Sequence, residues 1–176
     1  MSSDCPRPYR HDSLYTPTAF SLTMERPRIV RLSLHHKKLN PWSDTMTHEF
    51  HAILTTFAND PEVDVILLTG EGPAFCAGLD VTSSSLMSMI DSDDAARSAF
   101  ALRKHIDEFQ SSLTMLERCG KPVIAAVHGV VYGLGIDLMA ACDVRFAERG
   151  SRFAVREVVS GIPTATGLNS RGLNHH

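Results

Sequence analysis

The sequence predicts an α/β fold with mostly parallel strand pairing, because short apolar runs of strand character alternate with helix-period segments. Three observations carry this reading. The run "VDVILLTGEG" is compact, apolar and closed by glycine, the pattern of a strand buried on both faces. The segment Ala95–Cys119 places Leu102, Ile106, Phe109, Leu113 and Leu116 at alternating spacings of four and three, which makes a long amphipathic helix. A further strand-then-helix pair follows at once: Lys121-Pro122 opens "VIAAVHG", after which "YGLGIDLMAAC" reads as a buried helix.

The other elements fit the same alternation. Residues 1–17 are rich in proline and polar residues and read as a loose leader. "AFSLTMERPRIVRLSL" gives two short strands broken at Glu25–Pro27. Ser43 or Asp44 then caps a helix whose apolar stripe is Met46, Phe50, Ile53 and Phe57. "GPAFCAGLDVTSSS" reads as a loop, and "DVRFAE" and "SRFAV" as two more short strands. From Val159 the chain has neither a helical stripe nor sustained alternation. The division is therefore a leader at 1–17, a core at 18–158 and an irregular tail at 159–176, with no internal repeat.

Composition narrows the function classes. With 176 residues, 43% apolar and 21% charged, the chain is an ordinary globular sequence of one domain. A formal net charge of −3 supplies no basic field for nucleic acid. Cys5, Cys76, Cys119 and Cys142 form no CxxC pair and fit a reducing compartment, and zinc-ligand spacing is absent. No apolar run is long enough to span a membrane. The N-terminal residues show neither a signal-peptide h-region nor a transit-peptide pattern, and Asn174-His175-His176 is not an SKL-type address. These signals name no compartment.

Two glycine-containing turns each follow a strand and precede helix-prone sequence: Ala77-Gly78-Leu79-Asp80 and Gly133-Leu134-Gly135-Ile136. Backbone N–H groups at such turns bind developing oxyanions, and two turns facing each other could hold a thioester oxygen. Either turn taken alone reads first as an ordinary strand-to-helix connection, and neither is a phosphate loop, since GxxxxGK[ST] is absent. Asp137 stands among Gly135, Ile136, Leu138, Met139 and Ala140. A carboxylate in so apolar a setting is either a general acid or base or a helix-start group held by N–H donors. Glu157 is either a second acid–base group or a surface partner of Arg152 or Arg156. Cys76 and His128 read as structural, Lys37-Lys38 as solvated surface with phosphate contact the lesser reading, and Asp91–Asp94 as a helix-start charge group.

Together these stretches resemble the crotonase (enoyl-CoA hydratase/isomerase) superfamily. "LSLHHKKLNPWSDTM" resembles the family's loop of the form N-R-P-E-K-x-N-A, and "VILLTGEGPAFCAGLDV" its strand and first oxyanion turn. "KPVIAAVHGVVYGLGIDLMAACDVRFAERGSRFAVRE" resembles the segment with the second oxyanion turn and the catalytic carboxylates. The similarity runs from about Phe20 to Val158 and is greatest to the Δ3,5-Δ2,4-dienoyl-CoA isomerases. It implies a crotonase-like spiral of ββα units whose C-terminal helical part is missing here. It implies a CoA thioester as substrate and partner, no cofactor, a trimer or hexamer in the full-length family, and a peroxisomal or mitochondrial setting in fatty-acid β-oxidation.

The resemblance also assigns roles. Glu157 matches the base that removes the C2 proton, and Asp137 a carboxylate beside the dienoyl chain, where hydratases carry a Glu that activates water. Leu79 and Leu134 match the oxyanion-hole N–H donors, and Lys37 and Lys38 fall where the family contacts the CoA phosphates. The second acid of the isomerases, eight residues past the base, corresponds here to Ala165, and no carboxylate follows Glu157. The alternatives to an isomerase are an enoyl-CoA hydratase and a non-catalytic fragment that binds acyl-CoA or associates with full-length subunits.

Overall fold

The computed structural model describes residues 5–11, 16–80 and 95–155. In chain order it contains β1 (Arg7–Pro8), β2 (Phe20–Arg26), β3 (Ile29–Leu34), α1 (Asp44–Asn59), β4 (Val65–Gly70), β5 (Ala74–Cys76), α2 (Ala95–Arg118), β6 (Val123–Val127), β7 (Val130–Tyr132), α3 (Leu134–Ala140), β8 (Val144–Ala147) and β9 (Arg152–Ala154). The strands form a six-stranded sheet in the order β1-β2-β3-β4-β6-β8 and a three-stranded sheet in the order β5-β7-β9. The first two pairings of the large sheet are antiparallel and all others are parallel.

This topology has a simple rule. In β4–β5, β6–β7 and β8–β9, the first strand joins the large sheet and the second joins the small one. The corners at 71–73, 128–129 and 148–151 turn the chain between sheets, so the two strands of each pair do not fold back as a hairpin. Stacking these pairs in register makes every rung parallel, which is the ββα spiral the resemblance implied.

Helix α1 forms where its stripe requires. Ser43 is its N-cap and accepts a hydrogen bond from the Met46 N–H at 3.4 Å. Met46, Phe50, Ile53 and Phe57 are all fully buried. Phe50 lies edge-on to Trp42 at 5.2 Å and stacks on Phe20 at 5.7 Å, which fastens the helix to β2 and to the loop before α1. Helix α2 lies against α1 and buries Phe109, Leu113 and Leu116; Leu102 and Ile106 are only half-covered.

Several differences from the sequence reading have physical causes. Strand β4 buries Ile66 and Leu68 fully, but its other face is half-covered; that face carries Arg31 on β3 and the Ser33–Thr69 hydroxyl pair at 2.9 Å. Strand β2 runs on through Glu25 with an irregularity between Met24 and Arg26, and the break falls at Pro27-Arg28, where Arg28 turns with a φ of 67°. The segment read as a loop contains β5, and β7 stands between β6 and α3. The leader contributes β1, whose Arg7 and Pro8 pair with Met24 and Thr23. Asp91–Asp94 and the tail from Val159 lie outside the described residues.

Tyr9 is what ties that leader down. It is buried, meets Phe57 edge-on at 5.1 Å, and donates its hydroxyl proton to Asp60 Oδ2 at 2.7 Å. Burial alone would raise the Asp60 pKa, but the Tyr9 hydroxyl and the Glu62 N–H outweigh it and hold the carboxyl below its usual range. A depressed folded pKa adds stability above the ordinary carboxylate value, and that stability is lost as pH falls through the folded one. Tyr9→Phe should therefore cost about 1–2 kcal/mol at neutral pH. Urea unfolding should show the gap between wild type and variant narrowing as Asp60 is protonated.

Candidate active site

The first glycine turn leaves β5 and is held by the loop that follows β3. The Ala77 N–H donates to the Leu39 carbonyl at 3.1 Å, the Trp42 N–H to the Gly78 carbonyl at 2.8 Å, and the Asp80 N–H to the Trp42 carbonyl at 2.8 Å. These bonds make Trp42 and Leu79 a parallel bridge. Such a bridge uses the groups on either side of Leu79 and not its own N–H, which meets no acceptor among the described residues. Gly78 sits at a φ of 97°, a conformation that side-chain-bearing residues rarely adopt.

Asn40 holds this loop in place. It is 1% exposed, and both ends of its side chain are engaged: Oδ1 accepts from the His36 N–H at 2.9 Å, while the two Nδ2 hydrogens go to the carbonyls of Glu71 and Ala74 at 2.9 Å, with a longer, shared contact to that of Phe75 at 3.3 Å. Asn40 lies within the stretch "LSLHHKKLNPWSDTM" but has no role there by sequence pattern alone. The signal it carries is its place before Pro41, a pairing that marks turns.

The second turn leaves β7. The Gly133 N–H donates to the Ala154 carbonyl of β9 at 2.9 Å, and Leu134 opens α3; the Ile136 N–H turns back to the Gly133 carbonyl at 2.8 Å, whereas the Leu134 N–H, at the first helical position, has no partner within the helix. The two turns touch. Strand β5 pairs with β7, and a Cβ placed on Gly78 would stand 3.4 Å from the Tyr132 carbonyl oxygen. A Cβ placed on Gly135 would stand 2.9 Å from the Cys76 carbonyl oxygen and 3.1 Å from the Cys76 Cβ. Of the sequence-predicted residues, the fold thus brings the turn at Ala77, Gly78, Leu79 and Asp80 against the turn that Leu134 follows, and Asp137 lies three residues further along α3.

Asp137 lies in the first turn of α3 and is half-buried, so the apolar stretch around it does not enclose it as the sequence suggested. The reason is the length of α3: over seven residues it buries Leu134, Gly135 and Leu138 and leaves Ile136, Asp137 and Met139 partly open. Glu157 lies outside the described residues; the described chain reaches Val155, just past Ala154, which pairs with Tyr132 beside the second turn. Lys38 is exposed. Lys37 instead donates its ammonium proton to Asp80, whose carboxylate side chain is only 5% exposed.

The remaining candidates are structural. Burial pushes the Cys76 thiol up to about 12, so it is no nucleophile near neutral pH. His128 Nε2 bonds to the Gly72 carbonyl at 2.8 Å. Among the described residues no three His, Cys, Asp or Glu side chains are grouped to hold a metal ion, and no helix is long and apolar enough to cross a membrane.

Strand pairs shared between two sheets, with two glycine turns in contact at one place, define the crotonase-type scaffold. Residues 25–174 match the family Enoyl-CoA hydratase/isomerase, and the chain belongs to that family. It is 36% identical over 156 residues to the peroxisomal Delta(3,5)-Delta(2,4)-dienoyl-CoA isomerase of Arabidopsis thaliana, covering 88% of this chain and 53% of that protein. It is 30% identical over 155 residues to the mitochondrial Delta(3,5)-Delta(2,4)-dienoyl-CoA isomerase of Mus musculus, covering 87% and 47%. A mitochondrial enoyl-CoA hydratase of Pongo abelii is 38% identical over 132 residues, covering 74% and 41%. The chain spans about half the length of these curated relatives.

Solved structures give the same fold. A candidate enoyl-CoA hydratase from Streptomyces coelicolor A3(2) superposes with a TM-score of 0.76 at 26% identity, covering 95% of this chain and 59% of that one. A candidate enoyl-CoA hydratase from Thermobifida fusca, solved with acetoacetyl-CoA, superposes with a TM-score of 0.70 at 27% identity, covering 86% and 62%.

The contact between the turns is directly testable. Gly135→Ala should destabilise the chain by about 1–3 kcal/mol through overpacking against Cys76. Ala is the better helix former, so an unchanged or raised urea midpoint would mean that the turns are not in contact.

Proposed function

We propose that the chain is a dienoyl-CoA isomerase-like member of its family, shifting double bonds in an acyl-CoA thioester by oxyanion-stabilised proton transfer. The observation that carries this reading is the contact between the two glycine turns, with Asp137 in the helix that the second turn opens. The N–H groups of Leu79 and Leu134 stabilise the thioester oxygen as it gains negative charge, and each such donor is worth about 3 kcal/mol of barrier. Glu157 takes the proton from C2. The C2–H electron pair delocalises along the diene, and a proton added at C6 completes the shift. Ala165 stands at the family's second-acid position, so that proton comes from Asp137 or from water.

The thioester itself is the substrate, and the reaction as written uses no separate cofactor. The dienoyl-CoA isomerases among the relatives support the choice of reaction, and their peroxisomal and mitochondrial settings support one or other compartment for this chain. The Pongo abelii relative supports a second reading, hydration of an enoyl-CoA, with Asp137 taking the place of a Glu.

An absorbance assay separates the two. A 3,5-dienoyl-CoA should gain the band of a conjugated dienoyl thioester, whereas hydration of a 2-enoyl-CoA would remove conjugation. Glu157→Gln should slow isomerisation by about 10²–10⁴-fold, the usual worth of a general base. Unchanged turnover would remove Glu157 from that role, and CoA binding without turnover of either substrate would favour the non-catalytic reading.

A further inference from the structure

Resting on the proton-transfer reading above, we propose that Lys37 is a positioning residue for the first oxyanion turn and not a ligand of the CoA phosphates. Its ammonium neutralises the Asp80 carboxylate next to the Leu79 N–H. Three observations converge on this. Lys37 Nζ is bonded to Asp80 Oδ2 across 43 residues of sequence. The burial of the pair is unequal: the Asp80 side chain is 5% exposed and that of Lys37 50%. The Lys37 backbone is turned to a φ of 49°, between His36, whose N–H is held by Asn40, and the loop that bonds to Ala77, Gly78 and Asp80.

The chemistry of the turn explains why the pair is needed. Asp80 immediately follows the residue whose N–H is assigned to the thioester oxygen. A negative charge there opposes the negative charge that develops in the transition state, and the opposition grows as the local dielectric falls. A buried carboxylate also requires a counter-charge to remain ionised at low cost. Lys37 supplies it, and Asp80 in turn fixes the turn through its N–H bond to the Trp42 carbonyl. The Lys37–Asp80 pair as a whole is close to neutral, so it attracts a phosphate less than a lone ammonium does. Lys38, exposed beside it, remains the residue of the doublet suited to that contact.

The test uses the full chain and two substrates, a 3,5-dienoyl thioester of CoA and one of pantetheine, which carries no phosphate. Lys37→Met should lower kcat at least about tenfold on both, a fraction of the 10²–10³ that loss of a whole oxyanion donor costs. KM should change little, and Lys37→Arg should recover most of the loss. A defect confined to the CoA thioester and appearing in KM would overturn the proposal and return Lys37 to the phosphates. Hydrogen exchange of a peptide covering residues 77–80 provides a readout that needs no activity. Exchange there should quicken in Lys37→Met while the β4 peptide is unchanged, and unaltered exchange would also overturn the proposal. A wild-type chain that turns over neither thioester would sink the functional reading alone, and the exchange result would then decide the role of Lys37.

Discussion

The parallel pairing of β5 with β7 is the constraint on which the site depends. Each strand has three residues, too few to be stable as an isolated ladder. The pair persists because β5 is gripped from outside: the Asn40 amide bonds to the Ala74 and Phe75 carbonyls, and the Phe75 N–H donates to the carbonyl of His128 at the β6–β7 corner. With β5 and β7 fixed side by side, their two following turns must lie side by side as well. Gly135 then sets how closely they approach, because any side chain there would collide with the Cys76 carbonyl. The site thus follows from a pairing in the small sheet, and the large sheet supplies the rigid base from which each small-sheet strand departs.

What the sequence made legible follows the same division. Long elements with a period were readable: the α1 stripe from Met46 to Phe57, the stripe of α2, and the apolar runs of β4 and β6. Strands β5 and β7 were not separable as strands, because three residues cannot display an alternation and their flanking glycines read as turns. Strand β1 was hidden for a related reason. It has two residues, one a proline, and it is fixed by a tyrosine whose partner, Asp60, lies 51 positions away.

The site was legible in outline for a different reason. The glycine turns and Asp137 are local features, but the roles of neighbouring side chains depend on contacts that no local pattern carries. Lys37 is adjacent to Lys38 in sequence, and the two look equivalent there; both are exposed in the fold, and what sets Lys37 apart is its bond to the buried Asp80 carboxylate. Asn40 carries no more local mark than its place before Pro41, and only the fold shows that it bonds to three carbonyls across 31 to 35 positions.

The loop from His35 to Trp42 shows how such a site can be both irregular and fixed. A segment that lies outside a sheet must still find a partner for each buried backbone group. Here the Asn40 side chain accepts from the His36 N–H within the loop and donates to the carbonyls of Glu71, Ala74 and Phe75 outside it, while the Trp42 Nε1–Thr47 Oγ1 bond at 2.9 Å and the Lys37–Asp80 pair hold the loop's side chains. The backbone of Leu39 and Trp42 then pairs with Ala77, Gly78 and Asp80. Satisfaction is therefore selective. Because the bridge at Trp42 engages the groups before and after Leu79, the turn is immobilised on both sides of a donor that it does not itself consume. In the function proposed for this chain, such a preorganised N–H would stabilise charge in a transition state without reorganising when the charge appears.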